Sequence, residues 1–484
     1  MRNMLQRSRI VLAWLLMGVM VLTFGGIVAP VLPQWQFLPA LLAGNLLVIA
    51  VIAILTLLLG RIYCSVLCPL GISQDFVFWL AKRRKKNRRK FAFRRERRIM
   101  RYSILMLTGL AFLAGLSGLL GLVDPYSVFG RIVHDGLGLP VAYGWNALVG
   151  FNESHGWIPA LSKTDILWPP LAAMALAGAY FVVLTVLAWR YGRAYCQTFC
   201  PVGTLLGTLS RFSLFRPIID DQRCVHCGAC EKTCPSSCID VARGFVDTSR
   251  CVDCFDCVAV CPKGALTFSR AFPVKGPEKT PSGEGLSRRE MLVTTAVAVG
   301  TVAAGLARSQ TVVPVLLGTG KGKQKILPPG AVSADAFAQR CTACHLCVSR
   351  CPSGVLFPAV LENGALQLGQ PYMDFSKGYC VYNCNFCSQA CPAGAICPLD
   401  LTVKEQTKIG IARYAQFHCL IARDGIVCGN CARHCPVQAI TLVENRDGRS
   451  YPHVDGSRCI GCGSCEYHCP AKPAAISVSP LPKA

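Results

Sequence analysis

Two short stretches of the chain repeat one pattern of cysteine, proline and glycine. They read "RIYCSVLCPLG" at 61–71 and "RAYCQTFCPVG" at 193–203, and each places proline directly after its second cysteine. Thiolates act as nucleophiles and as metal ligands, so a doubled dithiol points to redox or metal chemistry. These four cysteines, the thiol quartet, are our candidate catalytic residues: Cys64, Cys68, Cys196 and Cys200.

The spacing of the quartet leaves three uses open. Helix positions i and i+4 have Cβ atoms about 5–6 Å apart. A disulfide needs about 3.8 Å, so a bond within one motif requires a broken helix. Pro69 and Pro201 disfavour helix at the preceding cysteines, which keeps a redox dithiol possible. Buried cysteine can also be a small hydrophobe. We favour the third use, in which the four thiolates converge as the ligands of an iron–sulfur cluster.

Two more cysteine runs follow the second copy of the motif. "CVHCGACEKTCP" at 224–235 and "CVDCFDCVAVCP" at 251–262 both have the spacing C-x-x-C-x-x-C-x-x-x-C-P. In this pattern three thiolates hold one [4Fe–4S] cluster and the fourth reaches the neighbouring cluster, which makes zinc a poor alternative. Cys238 is left without a role. The predicted sets are Cys224, Cys227, Cys230 with Cys261, and Cys251, Cys254, Cys257 with Cys234.

Four further runs near the end of the chain supply ligands for four more clusters. Those at 341–352 and 459–470 are regular, the one at 380–392 has an extra residue, and Cys419 precedes "CGNCARHCP" at 428–436. Adjacent or nested pairing is possible. Connectors of 23–28 residues, against 16 in the earlier pair, favour nested pairing. Its sets are Cys341, Cys344, Cys347 with Cys469; Cys459, Cys462, Cys465 with Cys351; Cys380, Cys384, Cys387 with Cys435; and Cys419, Cys428, Cys431 with Cys391. Six [4Fe–4S] clusters then use 24 of the 30 cysteines, and the quartet offers a seventh site.

The elements that position these cysteines begin with apolar runs. The chain has 484 residues, of which 52% are hydrophobic, and its mean hydropathy is +0.41. Runs at 10–31, 36–60, 100–123 and 166–189 are long enough to cross a bilayer as helices. We therefore predict an α-helical membrane domain, with four spans in two parallel repeats, joined to bacterial-type ferredoxin α+β modules. Each copy of the motif follows the second span of its repeat, at the cytoplasmic edge.

Charge sets the predicted orientation. Residues 82–98 hold twelve basic side chains and one acidic one. Such a run can bind nucleic acid, but between two spans we favour a cytoplasmic loop that obeys the positive-inside rule, with no nucleic-acid partner. The loop near 124–165 then lies outside. The absence of Walker and Rossmann motifs argues against nucleotide-driven chemistry.

A second targeting pattern appears in mid-chain. "SRREMLVTTAVAVGTVAAGLA" at 287–307 has two arginines, Arg288 and Arg289, before an apolar stretch, as a twin-arginine export signal does. Residues 291–307 also suit a short fifth span, and both interpretations can hold. The predicted domains are a membrane domain at 1–215, a ferredoxin domain at 216–270, the linker and signal at 271–320, and an exported ferredoxin domain at 321–484.

A membrane redox site that releases protons needs groups that accept them. "DPYSVFGRIVHD" at 124–135 offers Asp124, Arg131 and His134 at the outer end of the third span, and we name them as candidate cofactor-binding residues. The simpler interpretation is a polar cap at the membrane interface.

In motif order, residues 1–270 resemble the NapH-type membrane ferredoxins and residues 287–484 resemble the NapG/MauM-type exported ferredoxins. The resemblance implies an oxidoreductase component of the bacterial inner membrane, a quinol dehydrogenase, and it makes Asp124, Arg131 and His134 candidate quinol-binding residues. It would connect the quinone pool with a periplasmic redox enzyme or cytochrome, such as a nitrate reductase. Reverse transfer to quinone, and electron supply for maturation of a metalloenzyme, remain alternatives. The fusion of the two parts departs from the family pattern.

Overall fold

The computed structural model describes residues 2–84, 91–156, 163, 166, 168–270, 325–359, 367–445 and 448–481. The predicted export signal with Arg288 and Arg289, and the predicted fifth span at 291–307, lie outside the described residues. The described part of residues 2–210 is helical, and residues 215–481 combine short helices with two-stranded sheets.

In the helical half, two helices could cross a membrane by length and composition. They cover Met4–Phe24 and Leu171–Tyr191, and a shorter apolar helix covers Leu46–Leu59. Two such helices among the described residues do not confirm the predicted four spans. The helices are α1 Arg2–Phe24, α2 Phe37–Leu42, α3 Leu46–Leu59, α4 Tyr63–Val66, α5 Pro69–Arg83, α6 Arg98–Leu113, α7 Ser117–Val123, α8 Pro125–Arg131, α9 Gly138–His155, α10 Leu171–Tyr191, α11 Ala194–Thr198 and α12 Pro201–Ser210.

Two of the predicted spans are interrupted by glycine. Gly44 has φ of 70° between α2 and α3, and Asn45 then begins α3 by accepting a hydrogen bond from the Val48 N–H at 3.3 Å. Gly115, with φ of 82°, separates α6 from α7. Glycine adopts this conformation without a Cβ clash and commonly ends helices. The predictions for 36–60 and 100–123 as continuous helices were therefore wrong, because an apolar run does not reveal a break inside it.

Large apolar side chains are exposed on several of these helices. A helix that presents such residues outward either contacts lipid or packs against another protein. Examples are Val11 and Leu15 on α1, Leu47 and Ile54 on α3, Leu107 and Leu110 on α6, and Phe181 and Val183 on α10.

The middle ferredoxin domain, residues 215–270, has the α+β fold that its motifs predict. Antiparallel strands β1 and β4 enclose the two cysteine motifs, with Phe215 opposite Arg270, and the short hairpin β2–β3 lies between the motifs. Its elements are β1 Phe215–Ile219, α13 Ala229–Thr233, β2 Ile239–Asp240, β3 Phe245–Val246, α14 Asp256–Val260 and β4 Leu266–Arg270.

The C-terminal ferredoxin domain, residues 325–481, repeats this plan. Strands β7 and β10 pair around the last two motifs, with hairpin β8–β9 between them, and hairpin β5–β6 lies between the first two motifs. Its elements are α15 Ala334–Arg340, α16 Leu346–Ser349, β5 Leu356–Pro358, β6 Pro371–Met373, α17 Phe386–Ala390, α18 Leu401–Gln406, β7 Gly410–Tyr414, α19 Leu420–Asp424, α20 Asn430–Arg433, β8 Ile440–Glu444, β9 Ser450–Val454, α21 Ser464–Tyr467 and β10 Ile476–Pro480.

The two ferredoxin domains contact opposite ends of α1. Near its start Gln6 Nε2 donates to Asp256 Oδ1 at 2.7 Å, and just past its end Arg350 Nη1 donates to the Gly26 carbonyl at 2.9 Å. Twenty residues of helix cover about 30 Å. That length matches the hydrocarbon core of a bilayer. The helical half therefore holds the two domains about one bilayer core apart.

The described end of the basic run lies along the middle ferredoxin domain. The Phe93 N–H donates to Glu231 at 2.8 Å, the Arg94 N–H donates to the Ser237 carbonyl at 3.3 Å, and Arg250 donates to the Arg94 carbonyl at 2.6 Å. Part of this run is thus a contact surface for the ferredoxin domain.

Candidate redox centre

The structure brings the thiol quartet together inside the helical half. All four cysteines belong to one hydrophobic core and are at most 5% exposed. Cys68 is close enough to Cys64 and Cys196 for their thiolates to repel one another, and Cys200 is that close to the other three cysteines. All 30 cysteines are free thiols, so the described structure contains no disulfide. Four converging thiols are the ligand number of a cubane iron–sulfur cluster.

Helix ends set the position of each thiol. Cys68 and Cys200 have extended backbones and begin α5 and α12, with proline in the first helical position. The Gly203 N–H donates to Cys200 Sγ at 3.2 Å. Helix N-termini carry partial positive charge, so both helices favour an anionic group at the quartet.

Two buried arginines, one from each copy of the motif, cross to the other copy. Arg61 Nη2 donates to the Cys196 carbonyl at 3.4 Å, and Arg193 Nη1 donates to the Cys64 carbonyl at 2.8 Å. Both side chains are fully buried. The repeat thus folds with an approximate two-fold relation, in which each motif is held by the arginine of its partner.

The surroundings of the quartet fit a cluster with net negative charge. Arg61 Nη2 lies 3.8 Å from Cys64 Sγ, and Gln74 Nε2 donates to Cys196 Sγ at 3.2 Å. Asp75 neutralises part of the positive charge, since it accepts from Arg193 at 2.6 and 2.7 Å and also pairs with Arg9. Two buried atoms beside the thiols, Arg61 Nε and Gln74 Oε1, have no hydrogen-bond partner among the described residues. Unpaired buried polar atoms are expected where a group is missing, so these residues suit a [4Fe–4S] cluster.

The middle ferredoxin domain brings its cysteines together in the two predicted sets. Cys224, Cys227, Cys230 and Cys261 line a cavity of about 390 Å³. A second cavity of about 400 Å³ is lined by Cys234, Cys251, Cys254 and Cys257. Cys238 lines it too, with its Sγ 3.5 Å from Cys234 Sγ, a contact that the sequence did not reveal. We call these groups of four the first and second middle sets.

The C-terminal ferredoxin domain pairs its motifs as neighbours, so the nested pairing was wrong. Cys341, Cys347 and Cys391 share one hydrophobic core with Cys380, Cys387 and Cys351, whereas Cys431, Cys435, Cys459 and Cys469 share another. The hairpins between adjacent motifs explain the long connectors on which the nested pairing rested. The first to fourth C-terminal sets are Cys341, Cys344, Cys347 with Cys391; Cys380, Cys384, Cys387 with Cys351; Cys419, Cys428, Cys431 with Cys469; and Cys459, Cys462, Cys465 with Cys435.

Burial controls the protonation of groups around these sets. It raises the pKa of the Cys230 and Cys431 thiols to about 11, so without iron they stay protonated at neutral pH. Iron must therefore replace protons, as at other thiolate sites. Burial also raises the pKa of Asp253, next to the second middle set, to about 7.

The sets form a sequence from one end of the molecule to the other. Cys254 of the second middle set belongs to the same core as the quartet. Cys344 of the first C-terminal set packs against that core on the other side, where it adjoins Tyr126. Farther out, the Cys380 N–H of the second set donates to the Cys462 carbonyl of the fourth at 2.8 Å.

The three predicted quinol-site residues are divided between two places. Asp124 is 2% exposed and lines an apolar cavity beside α12. Arg131 instead donates to the Ala343 carbonyl at 2.9 Å, in the C-terminal ferredoxin domain. His134 bonds Asp135 at 2.7 Å, and Asp135 bonds His345 of the same ferredoxin domain at 2.8 Å. Arg131 and His134 therefore take part in domain contact, and we drop them from the quinol site.

Sequence reasoning missed the groups that support the quartet. Arg61 and Tyr63 precede the first motif and recur as Arg193 and Tyr195 before the second, so the internal repeat itself carried the signal. Gln74 occurs in the first copy only, with Leu206 at the equivalent position, and no pattern marked it.

Comparisons with protein families agree with these sites. A family model described as a 4Fe-4S binding domain matches residues 41–88 and 171–219, the two segments that carry the quartet. Models described as 4Fe-4S dicluster domains match residues 216–262 and 426–472. The second dicluster range joins the last two motifs, in agreement with adjacent pairing.

Curated relatives include ferredoxin-type proteins. The methylamine utilization protein MauM of Methylorubrum extorquens is 37% identical over 202 residues, which cover 40% of this chain and 89% of that protein. NapG of Escherichia coli is 33% identical over 166 residues, 32% of this chain and 71% of NapG. MauN of Paracoccus denitrificans is 29% identical over 180 residues, 36% of this chain and 48% of MauN. No solved structure matches the chain.

Proposed function

This chain belongs to the family of ferredoxin-type iron–sulfur proteins that includes MauM and NapG, and from that membership we propose that it is a membrane-bound quinol dehydrogenase. It takes electrons from the quinone pool and passes them through [4Fe–4S] clusters to a redox enzyme or cytochrome on the outer face. The helical half takes the role of a NapH-type component, fused to the exported ferredoxin.

The observation that carries this proposal is the position of the quartet between the two ferredoxin domains. Its core includes Cys254 on one side and is packed by Cys344 on the other. A cluster at the quartet would connect cofactor sites at both ends of the helical half, and six further sets would make seven centres. Each [4Fe–4S] cluster exchanges one electron, while the protein holds it, excludes water and sets the charges around it.

Membrane insertion is part of the proposal. It is supported by the exposed apolar residues of α1, α3, α6 and α10 and by the two helices of membrane-spanning length. The docking of the ferredoxin domains at opposite ends of α1 supports a middle domain in the cytoplasm and a C-terminal domain outside. Lys82, Arg83 and Arg84 at the end of α5 agree with that orientation under the positive-inside rule.

Reverse transfer is a second candidate direction. Similarity to MauM and MauN, which are named for methylamine utilization, favours a dehydrogenase outside the membrane that reduces quinone through the same centres. Rates with quinol and with quinone in the purified protein would separate the two directions.

The first test is the iron content of the quartet. We expect Cys64→Ser/Cys196→Ser, purified without oxygen, to lose about four iron and four acid-labile sulfide per chain, the content of one [4Fe–4S] cluster. Its EPR spectrum should lose one component, and quinol should no longer reduce the remaining clusters. Cys397→Ser is the matched control, because Cys397 belongs to none of the seven sets. An unchanged iron content would show that the quartet holds no cluster. Failure of quinol to reduce the wild-type protein would overturn the proposed function.

A further inference from the structure

One cavity in the described part of the helical half lies beside the quartet. It has a volume of about 510 Å³, is partly open to the surface, and is lined by α2, α6, α7 and α12. Pro201, which is bonded to the quartet residue Cys200, forms part of its wall, and the rings of Phe37 and Phe112 line it. A cavity of this size and apolarity suits one small aromatic ring with part of its tail.

Asp124 is the one charged side chain among the described residues that line this cavity. It is 2% exposed, and its Oδ2 accepts hydrogen bonds from the Ser127 N–H at 2.8 Å and the Ser127 hydroxyl at 2.9 Å. A carboxylate in apolar surroundings costs free energy, so its presence there indicates a function.

The cavity wall is hydrogen-bonded to both copies of the motif. The Phe37 N–H donates to the Tyr63 hydroxyl at 3.1 Å, and Tyr63 immediately precedes Cys64. The Tyr195 hydroxyl donates to the carbonyl of Val123 at 2.7 Å, one residue before Asp124. These two bonds fix the wall relative to the thiols, so a ring in the cavity would lie next to the quartet.

Helix α6 has one side on the cavity and the other on the apolar outer surface. Leu105, Thr108 and Phe112, at helical spacing, line the cavity, while Leu107 and Leu110 are exposed on the other side. An isoprenoid tail could therefore extend along the apolar surface while its ring lies inside.

We propose that this cavity binds the ring of a prenylated membrane quinol and that Asp124 accepts a proton from it. The inference rests on the proposed function and locates its substrate. Oxidation of quinol to quinone releases two electrons and two protons. The [4Fe–4S] cluster that Cys64, Cys68, Cys196 and Cys200 would hold would supply the acceptor for these electrons, one at a time. The ring hydroxyl that faces Asp124 gives its proton to the Asp124 carboxylate, and the hydroxyl at the opposite end of the ring gives its proton to solvent water at the open side of the cavity.

The test is photoaffinity labelling of the holoprotein in detergent with a short-chain azido-quinone. We expect saturable labelling of peptides that contain residues 105–112 or 120–124, with competition by decylubiquinol or a menaquinol analogue, whichever is the natural class. Leu105→Trp fills the cavity and should weaken labelling at least tenfold. Leu107→Trp, on the exposed side of the same helix, is the matched control and should label as wild type. Iron content and absorption spectra establish that both variants fold.

Asp124→Asn separates binding from proton transfer. Asparagine keeps a side-chain oxygen that can accept the capping hydrogen bond from the Ser127 N–H at the start of α8, as Asp124 does. We expect labelling within twofold of wild type and a fall in quinol turnover of about 100-fold, typical for loss of a general base. Labelling that is displaced by excess phospholipid but not by quinol, or that lies near His134, would overturn this inference. The proposed function would still stand if the protein turned over quinol. Labelling in the cavity without any electron transfer would support the binding site but contradict the proposed dehydrogenase function.

Discussion

At the residue scale, the quartet depends on glycines as much as on cysteines. A Cβ atom on Gly71 would lie 2.3 Å from the Cys64 carbonyl oxygen, and one on Gly203 would lie 2.4 Å from that of Cys196. Real Cβ atoms do not approach backbone so closely, so only glycine lets α5 and α12 begin against the first cysteine of their own motif. The glycine two residues after each CP pair is thus part of the metal-site geometry.

Gly203→Ala should therefore damage the quartet more than an ordinary helix substitution. We expect a loss of about 1–3 kcal/mol of stability from overpacking, together with loss of up to one cluster's iron. Thermal unfolding followed by absorption, with iron analysis, measures both. Gly18→Ala on α1 is the control, because a Cβ there meets nothing within 4 Å. Equal behaviour of the two variants would show that α12 moves away at no cost.

At the element scale, features that depend on local residue spacing could be predicted from the sequence, whereas features that depend on long-range contacts could not. The cysteine motifs predicted ferredoxin modules and both middle sets, because their ligands and strands lie close in sequence. The interruption of the apolar runs at Gly44 and Gly115 was not predicted, because hydropathy reports how apolar a segment is and not whether its helix is continuous. Pairing in the C-terminal domain was mistaken because connector length does not distinguish an intervening hairpin from a long excursion.

Contacts between elements also decided what the segment around α8 does. The sequence predicted that the polar residues within 124–135 form one site, whereas the fold places them at two different sites. Arg131 is buried against the carbonyls of Thr342 and Ala343, while Asp135 joins His134 to His345. These bonds run between the helical half and a cysteine-motif loop of the C-terminal ferredoxin domain, and no local sequence pattern encodes them.

Arg131→Ala should consequently loosen the C-terminal ferredoxin domain. Two carbonyls would lose a charged donor in a buried contact, which we expect to cost about 1–3 kcal/mol. Hydrogen exchange of residues 341–351 measures the effect as faster exchange, with the last two motifs unchanged. Arg423→Ala is the matched control, because its ion pair with Asp424 is exposed to solvent. If exchange in 341–351 stays at the wild-type rate, Arg131 does not hold the two parts together.

At the scale of the whole molecule, the order of the sets has a consequence for electron flow. If quinol is oxidised beside the quartet, electrons reach the C-terminal ferredoxin domain without passing through the middle domain. The quartet core touches the second middle set through Cys254 and the first C-terminal set through Cys344, on opposite sides. The middle sets would then form a branch on the other side of the quartet, open to a second donor or acceptor, which the proposed orientation places in the cytoplasm.

Two single substitutions distinguish a branch from a through-route. Cys431→Ser alters the third C-terminal set, and Cys224→Ser alters the first middle set, which lies on the other side of the quartet. We expect the first variant to slow electron transfer from quinol to an external acceptor at least tenfold, while quinol still reduces the inner clusters. The second variant should stay within twofold of wild type. Stopped-flow absorption, with iron analysis to verify that each variant loses a single cluster, measures both rates. Equal slowing in both variants would mean that electrons must pass through the middle domain, and quinol would then be oxidised on the middle-domain side of the quartet.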